Sequence, residues 1–120
     1  MITSYRDLDV YKESYKLAIE IHKITQSYPD YERYEIGSQI RRAATSLPMN
    51  IAEGYGKKES AAEFKRFLLM AMGSCNELEV LVEMSKDLGY ISQEKYDEII
   101  ERYRTLGKRL NTLVKSWKQF

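Results

Sequence analysis

Apolar residues recur every three or four positions in four long segments of the chain, the spacing that places them on one face of a helix. Proline and glycine end helices, and Pro29, Gly54 with Gly56, and Gly89 separate the segments. The pattern predicts helices over about residues 7–28, 32–54, 60–88 and 92–118. Such helices are longer than a compact domain of 120 residues is wide, so they are expected to lie side by side. The sequence therefore predicts one all-α domain over residues 1–120, an up-down-up-down four-helix bundle.

Pro48 lies inside the second predicted helix and predicts a kink there. A proline within a helix leaves a carbonyl one turn earlier, here near Ala44, without its hydrogen bond. Polar residues run past this point at steps of three and four, and they form a polar stripe of Gln39, Arg42, Ser46, Asn50 and Glu53. Such a stripe can satisfy the freed backbone groups or pair across a subunit boundary.

The first and third helices each carry a second apolar row, although a bundle needs only one per helix. On the third helix this row lies opposite the predicted core face and consists of Leu69, Gly73, Val80 and Met84. Long exposed apolar rows usually mark interfaces, so we expect a homo-oligomer in which this row is an apolar interface. The alternative is that broad rows simply belong to helices central to a bulky bundle. The ten tyrosines suit a partly wet subunit boundary, since each has a large apolar body and one polar tip.

Few residues are available for chemistry. Cys75 is the single cysteine and His22 the single histidine, so no Cys/His zinc site is possible, and the glycines form no phosphate-binding loop. No carboxylate, histidine, serine or cysteine is arranged as a nucleophile with its base. We expect no enzyme, no cofactor, no metal, no small-molecule substrate and no catalytic residue. We expect Cys75 to be buried as a small apolar residue, and His22 to lie in the core or at an interface.

The absence of an apolar run of about 20 residues argues against a membrane span. The first residues have neither the apolar core of a signal peptide nor the composition of a transit peptide. The expected location is therefore the cytoplasm.

The net charge of +1 hides a strong segregation of charge along the chain. Residues 76–101 hold two basic and eight acidic side chains, whereas residues 102–120 hold six basic and none acidic. In an up-down-up-down bundle the last helix ends beside the start of the third, which predicts a basic pole there, with Tyr55 and Trp117 as possible stacking partners. The predicted nucleic-acid-binding residues are Lys57, Lys58, Lys65, Arg66, Lys108, Arg109, Lys115 and Lys118. Two alternatives remain open: complementation of the helix dipoles, and attraction between opposite poles of stacked rings.

Several motifs carry a family resemblance over nearly the whole chain. They are LDVY at 8–11, YP at 28–29, QIRRA at 39–43, SLPMNIAEG at 46–54, EFKRFL at 63–68, GS at 73–74, EL at 77–78 and LG at 88–89. With them the sequence resembles the bacterial four-helix bundle family named after proteins encoded in intervening sequences of the large-subunit ribosomal RNA gene. Departures are mild, with Tyr11 where Trp is frequent, His22 where Tyr is frequent and Met72 where Arg is common. The last of these weakens any proposal of a basic contact at that point of the third helix.

The resemblance implies an all-helical protein assembled into a five-fold ring, with itself as its first partner. It implies less about activity: members are associated with ribosomal RNA by gene location, and a similar pentameric bundle is an accessory protein of reverse transcriptases in diversity-generating retroelements. Our first hypothesis is a non-enzymatic, homopentameric accessory protein that binds structured RNA, or DNA, through the basic pole. The alternative is a protein–protein assembly scaffold, or an accessory partner of a nucleic-acid enzyme, that does not touch nucleic acid itself.

Overall fold

Four long helices and one single-turn helix make up the fold of residues 1–117, the part of the chain that the computed structural model describes. They are α1 (Asp9–Ile24), α2 (Asp30–Arg33), α3 (Ile36–Gly56), α4 (Ala61–Asp87) and α5 (Gln93–Ser116), with 3-10 turns at Tyr5–Asp7 and Thr25–Ser27. None of these 117 residues lies in a strand. The molecule measures 49 × 23 × 21 Å, as expected for helices that lie side by side. The predicted all-α four-helix bundle is confirmed.

The ends of α4 show how local sequence sets the helix bounds. The Ser60 hydroxyl accepts a hydrogen bond from the amide of Glu63 at 3.2 Å, which satisfies one of the free amides of the first turn. At the other end Gly89 has a φ of +82°, a conformation that glycine adopts without steric cost. There the amide of Tyr90 donates to the Ser85 carbonyl at 2.8 Å and closes the helix in a Schellman motif.

The region between α1 and α3 differs from the sequence prediction. The first helix was predicted to reach residue 28 but ends at Ile24, and the second was predicted to start at residue 32 but is split into α2 and α3. The split occurs at Glu35, whose φ of −107° and ψ of −103° lie outside the helical region. Apolar periodicity identifies helix faces, but it does not reveal a short break such as the one at Tyr34 and Glu35.

Helix α3 runs from Ile36 to Gly56 without interruption, and Pro48 lies inside it. One turn before the proline, the Ser46 hydroxyl donates to the Ala43 carbonyl at 2.9 Å. Of the stripe, the Ser46 side chain thus engages a backbone carbonyl near Pro48. The kink itself stays a prediction.

The contact between α3 and α4 is the most extensive in the bundle. A Cβ atom placed on Gly54 would lie 2.6 Å from the Cβ of Phe67 and 3.1 Å from Cδ1 of Phe64, so the two helices meet there at a distance that only glycine allows. Further along the same seam the hydroxyls of Ser46 and Ser74 are hydrogen-bonded at 2.7 Å. Helix α1 packs against α3, and α5 against α4, whereas the contact between α1 and α5 is thinner.

The buried side chains form one core to which all four long helices contribute. The face of α4 that was predicted to point inward is buried throughout, namely Phe64, Phe67, Leu68, Ala71, Cys75, Leu78 and Val82. On α1 the row with Leu17 and Ile21 is buried, while Tyr15 and Ile19 are exposed. Both helices therefore keep a second apolar row on the surface of the single chain.

Gly54→Ala should destabilise the protein by about 1–3 kcal/mol, because the new methyl group must push α3 and α4 apart. Gly107→Ala is the matched control, since Gly107 is also inside a helix but a Cβ there would meet nothing within 4 Å. That change should stabilise the protein by about 0.5–1 kcal/mol through helix propensity alone. Urea unfolding followed by circular dichroism at one fixed protein concentration measures both, and equal effects at the two glycines would contradict the packing described here.

Candidate functional site

The turn between α3 and α4 and the last turn of α5 lie at the same end of the bundle. Trp117, directly after α5, packs edge-on against Phe64 in the first turn of α4, with ring centroids 4.6 Å apart. Tyr55, Lys58 and Trp117 together line a cavity of about 360 Å³ at this end. The up-down-up-down topology thus brings the chain segments of the predicted basic pole together. We call Lys57, Lys58 and Lys115, the lysines of the turn and of the last turn of α5, the basic end.

The three lysines of the basic end are exposed, and none forms an ion pair with any residue from 1 to 117. The ammonium groups of Lys57 and Lys58 lie 5.5 Å and 4.5 Å from the ring centroids of Phe67 and Tyr55. These contacts orient the side chains by cation–π attraction. Among residues 1–117 neither ammonium lies within ion-pair distance of a carboxylate, although, besides Arg66, the charge of Lys57 helps to lower the pKa of Glu63. The basic end is therefore a group of three exposed ammonium groups that can contact an anion from solution.

Two other predicted contacts lie on α4, close to this end. Lys65 is half-buried, and Arg66 is ion-paired with Glu63, whose Oε2 is 3.0 Å from the arginine Nε. The hydrogen bond and the charge of Arg66 lower the pKa of the Glu63 carboxyl, so this pair stays charged at neutral pH. Arg66 is thus partly neutralised within its own helix. Lys118 lies outside the described residues.

Lys108 and Arg109 occupy a different place, on the flank of α5. They line a groove of about 430 Å³ between α5 and the N-terminal segment, where Asp7 and Asp9 line the facing side. Hydrogen bonds from Thr3 and Ser4 lower the pKa of Asp7, which keeps its carboxyl ionised. The structure therefore separates this pair from the basic end and places carboxylates beside it.

Of the two aromatic residues predicted to stack on bases, Tyr55 serves as packing. Tyr55 is only 7% exposed, and its ring meets Phe64 edge-on at a centroid distance of 6.1 Å. The face of Tyr55 that points outward is covered by the Lys58 ammonium. Tyr55 therefore offers no free ring face to a base, whereas Trp117 is partly exposed. Phosphate contact is what the lysines of the basic end can provide.

Two cations of the strongly basic segment 102–120 are used inside the bundle. Arg102 of α5 pairs with Glu13, 2.9 Å from its Nε, and with Glu20, both on α1. Arg104 pairs with Glu79 of α4 at 2.9 Å. These pairs bridge α5 to its neighbours, most usefully to α1, where side-chain packing is thin. The charge count from sequence therefore overstates the positive charge that α5 offers to a partner.

The predicted apolar interface on α4 is exposed in the single chain. Leu69, Val80 and Met84 have 55%, 58% and 46% of their surface accessible, and Gly73 lies among them. We call these four residues the α4 row. Met70 and Leu88 extend it on one side.

A second apolar surface lies between α1 and α3, in a groove of about 570 Å³. It is lined mainly by tyrosines and aliphatic side chains, with His22 and Thr45 at one edge: Tyr5, Tyr11, Tyr15, Ala18, Ile19, Pro48, Met49 and Ala52. The sequence indicated the α1 side through its second apolar row. The sequence analysis did not single out the α3 side, which consists of Pro48, Met49 and Ala52.

The polar stripe is divided by the fold. Ser46 points into the seam with α4 and bonds Ser74, whereas Gln39, Arg42 and Glu53 are exposed and Asn50 is half-buried. Neither Arg42 nor Glu53 has an ion-pair partner among residues 1–117. These two charges are thus available for pairing with another molecule.

A cationic cluster that the sequence analysis missed lies at the other end of the bundle. Arg33 and Arg41, together with His22, Thr25, Gln26 and Tyr34, line a pocket of about 280 Å³ where α1, α2 and α3 meet. Tyr90, just after α4, donates to the Glu32 carboxylate at 2.6 Å, which places α2 beside the end of α4 that is remote from Lys57 and Lys58. One feature of the sequence could have indicated this cluster. Gly37 lies one helical turn before Arg41, a spacing that leaves room for the arginine side chain.

The two residues singled out for reactivity lie in opposite environments. Cys75 is 3% exposed, and burial, together with the nearby charge of Glu79, raises the pKa of its thiol to about 12. Its predicted burial is confirmed, and a thiol with this pKa is a poor nucleophile. His22 is exposed in the single chain and lies 3.0 Å from the Thr45 hydroxyl through Nε2, so the core alternative for this residue is wrong.

Neither a metal-binding cluster nor a membrane-spanning helix is found within residues 1–117. No three of their His, Cys, Asp and Glu side chains are grouped so that they could hold a metal ion. None of the helices they form is both long and apolar enough to cross a membrane.

Comparison with known families gives a match over residues 6–112 to the model of the 23S rRNA-intervening sequence protein family. The chain belongs to this family. Among solved structures, it is similar to a crystal structure of a protein of unknown function from the S23 ribosomal protein family of Bacteroides thetaiotaomicron. The two are 27% identical with a TM-score of 0.81, over 89% of this chain and 99% of the other. No curated protein matches the chain significantly.

The match confirms the resemblance carried by the motifs at 39–43 and 46–54, and the fold of this 23S rRNA-intervening sequence protein agrees with the solved structure. In the fold these motifs supply the α3 side of the seam with α4, including Ser46 and Gly54. Ser46 and Gly54 of these motifs thus contribute to the close packing of α3 against α4.

Iodoacetamide should alkylate Cys75 in the native protein at least about a hundredfold more slowly than in the urea-unfolded chain at pH 8, because the native thiol is buried and scarcely ionised. Mass spectrometry of samples quenched over time measures the rates, and glutathione in the same two buffers controls for urea. Equal rates in the two states would contradict the buried, unreactive role given to this residue.

Proposed function

We propose that this 23S rRNA-intervening sequence protein is a non-enzymatic, homo-oligomeric accessory protein that binds structured RNA through its basic end. The observation that carries the proposal is the group of exposed lysines Lys57, Lys58 and Lys115, which lack carboxylate partners among the described residues. Two arginines of α5, Arg102 and Arg104, are paired with carboxylates of neighbouring helices. Unpaired lysines gathered at one end favour contact with phosphates, which reward each neutralised charge by releasing counterions.

Self-association follows from the α4 row. Leu69 and Val80 each expose more than half of their surface, on a helix whose opposite face already fills the core. Exposed apolar rows of this length favour a subunit boundary, and the α1–α3 groove is a second apolar surface that a neighbouring copy can cover. Five copies in a closed ring, the assembly that the family resemblance implies, would multiply the lysines of the basic end and so strengthen a weak phosphate contact.

The family name supports the choice of RNA, since it associates these proteins with 23S ribosomal RNA. On this proposal the protein acts in the cytoplasm and has no catalytic residue. A buried Cys75, and a His22 whose ring is hydrogen-bonded to Thr45, both agree with a binding role.

A protein scaffold without RNA contact is the second candidate. It is favoured by the exposed and unpaired Arg42 and Glu53 of the polar stripe, which suit pairing with another protein. DNA in place of RNA is a variant of the first candidate, because the same phosphate contacts serve both. Competition between RNA and DNA of the same sequence distinguishes these two ligands.

Structured RNA should bind the wild-type protein at 50 mM salt, and the affinity should fall about tenfold or more at 200 mM if three or more phosphates are contacted. The double variant Lys57→Glu/Lys58→Glu should lose most of this binding. Lys16→Glu/Lys23→Glu is the matched control, because both lysines are exposed on α1, away from the basic end, and it should bind like wild type. Filter binding or fluorescence anisotropy measures all three, and absence of wild-type binding at 50 mM, or equal loss in both variants, would overturn the RNA hypothesis.

Leu69→Glu/Val80→Glu should convert the oligomer to single chains without loss of helix content, because both side chains are exposed and make no core contact. A charge in each position opposes burial against a neighbour. Thr105→Glu/Thr112→Glu, on the exposed surface of α5, should keep the wild-type mass. Light scattering coupled to size exclusion gives the masses, and circular dichroism gives the helix content. A wild-type mass for the α4 variant would show that the α4 row is not a subunit boundary.

These two sets of variants also separate the candidates. A variant that has lost RNA binding but keeps its oligomer mass supports the basic end as a ligand site. An intact oligomer that binds no RNA under any of these conditions favours the scaffold.

A further inference from the structure

The pocket between α1, α2 and α3 contains two guanidinium groups and no carboxylate. Its six lining residues include Arg33 and Arg41, with His22 and Thr25 from the end of α1. Of the acidic side chains of the α2 turn, Asp30 lies 3.8 Å from Arg33 at the rim, and Glu32 accepts a short hydrogen bond from Tyr90. The pocket is thus a concave, cationic and polar site, which is the environment that favours an anion.

Arg41 is held in place before any ligand arrives. Its Nη2 donates to the Arg33 carbonyl at 2.8 Å, at the end of α2. Its other terminal nitrogen, Nη1, occupies space beside Gly37, where a Cβ atom would lie 3.0 Å away. The absence of a side chain at Gly37 therefore makes room for the guanidinium. A guanidinium has five N–H groups, and with residues 1–117 this one forms a single hydrogen bond, so donors remain for a ligand.

Arg33 faces the same pocket and is only weakly engaged. Its Nη1 lies 3.8 Å from the Asp30 carboxylate, in a pair whose acidic side chain is 98% exposed. Such exposed pairs contribute little and are easily exchanged for a stronger partner. Arg33 can therefore turn its planar set of donors toward an anion that Arg41 already contacts.

We propose that this pocket binds a phosphate group, with Arg33 and Arg41 as its two charged donors. Arginine pairs arranged around one site match the oxygens of a phosphate through parallel hydrogen bonds, which a spherical halide cannot exploit. The volume of about 280 Å³ lies just below the range of roughly 300–1,000 Å³ for pockets that enclose a drug-sized molecule, so it suits a phosphate group with its immediate substituent. The site lies at the end of the bundle remote from the basic end, and its existence does not depend on RNA binding there.

The test is a titration of the full-length protein with inorganic phosphate at constant ionic strength, with sodium chloride as the balancing salt. Amide resonances of residues 22–26 and 33–41 should shift saturably in TROSY spectra. Arg33→Gln should weaken the binding about five- to tenfold, since it removes one charge-assisted contact at a half-exposed position. Its fold should be unaffected, because the Arg33 side chain makes only the long contact to Asp30.

Two further variants show whether the pocket itself is responsible. Lys23→Gln removes one charge from the same end of the bundle but not from the pocket lining, so it should bind phosphate like wild type. Asp30→Asn frees Arg33 of its carboxylate and should tighten binding about twofold. A purely structural role for Arg33 would not produce this gain. Absence of saturable shifts, or equal weakening in Lys23→Gln and Arg33→Gln, would overturn the proposal.

Three more probes show which kind of molecule supplies the phosphate. A short single-stranded RNA with a 5′-phosphate is compared with the same RNA ending in a 5′-hydroxyl, and with a nucleoside 5′-monophosphate. Tighter binding of the phosphorylated strand than of the mononucleotide supports a strand end as the ligand, and equal binding supports a small phosphate ester. Equal shifts of the pocket amides with the 5′-hydroxyl strand would support an internal phosphodiester as the ligand. Each of these results supports the phosphate site, whereas absence of pocket shifts with all three probes would contradict it.

Discussion

The close contact of α3 with α4 at Gly54 is the constraint on which the rest of the structure depends. Because a Cβ at this position would come within 2.6 Å of the Cβ of Phe67, α3 and α4 can approach this closely only where α3 carries a glycine. The Ser46–Ser74 hydrogen bond keeps the same seam further along. With α4 held in this orientation, its core face packs against α3 and α5, and the α4 row must point outward. The turn with Lys57 and Lys58 follows directly from the end of this contact.

Some basic side chains form ion pairs within the fold and others are exposed to solvent. This division explains why composition is a poor guide to function. A net charge of +1 suggests no affinity for polyanions, and a count over residues 102–120 suggests a uniformly basic helix end. The structure assigns Arg102 and Arg104 to ion pairs that join α5 to α1 and α4, and leaves Lys115 with the turn lysines. Partnering within the fold, rather than the number of charges, decides which cations a ligand can reach.

The fold was predictable from the sequence because long helices repeat the same signal many times, as the seven buried positions of the α4 core face show. The break between α2 and α3 was not predictable, because apolar periodicity does not encode the non-helical backbone angles of Glu35. The site was predictable only in part. Topology indicated that the α3–α4 turn and the end of α5 meet, but the flank position of Lys108 and Arg109 and the packing role of Tyr55 depend on side-chain directions. The pocket of Arg33 and Arg41 requires the unexpected α2 turn, so it could not be found before the fold was known.

The central claim is that the α4 row is covered by another copy of the chain, so that several sets of basic-end lysines act together. Native mass spectrometry of the wild-type protein over a range of micromolar concentrations tests it most directly. The account predicts one dominant species at a fixed multiple of the 14.1 kDa chain mass, with five copies favoured. A single chain of 14.1 kDa as the dominant species at every concentration would contradict it.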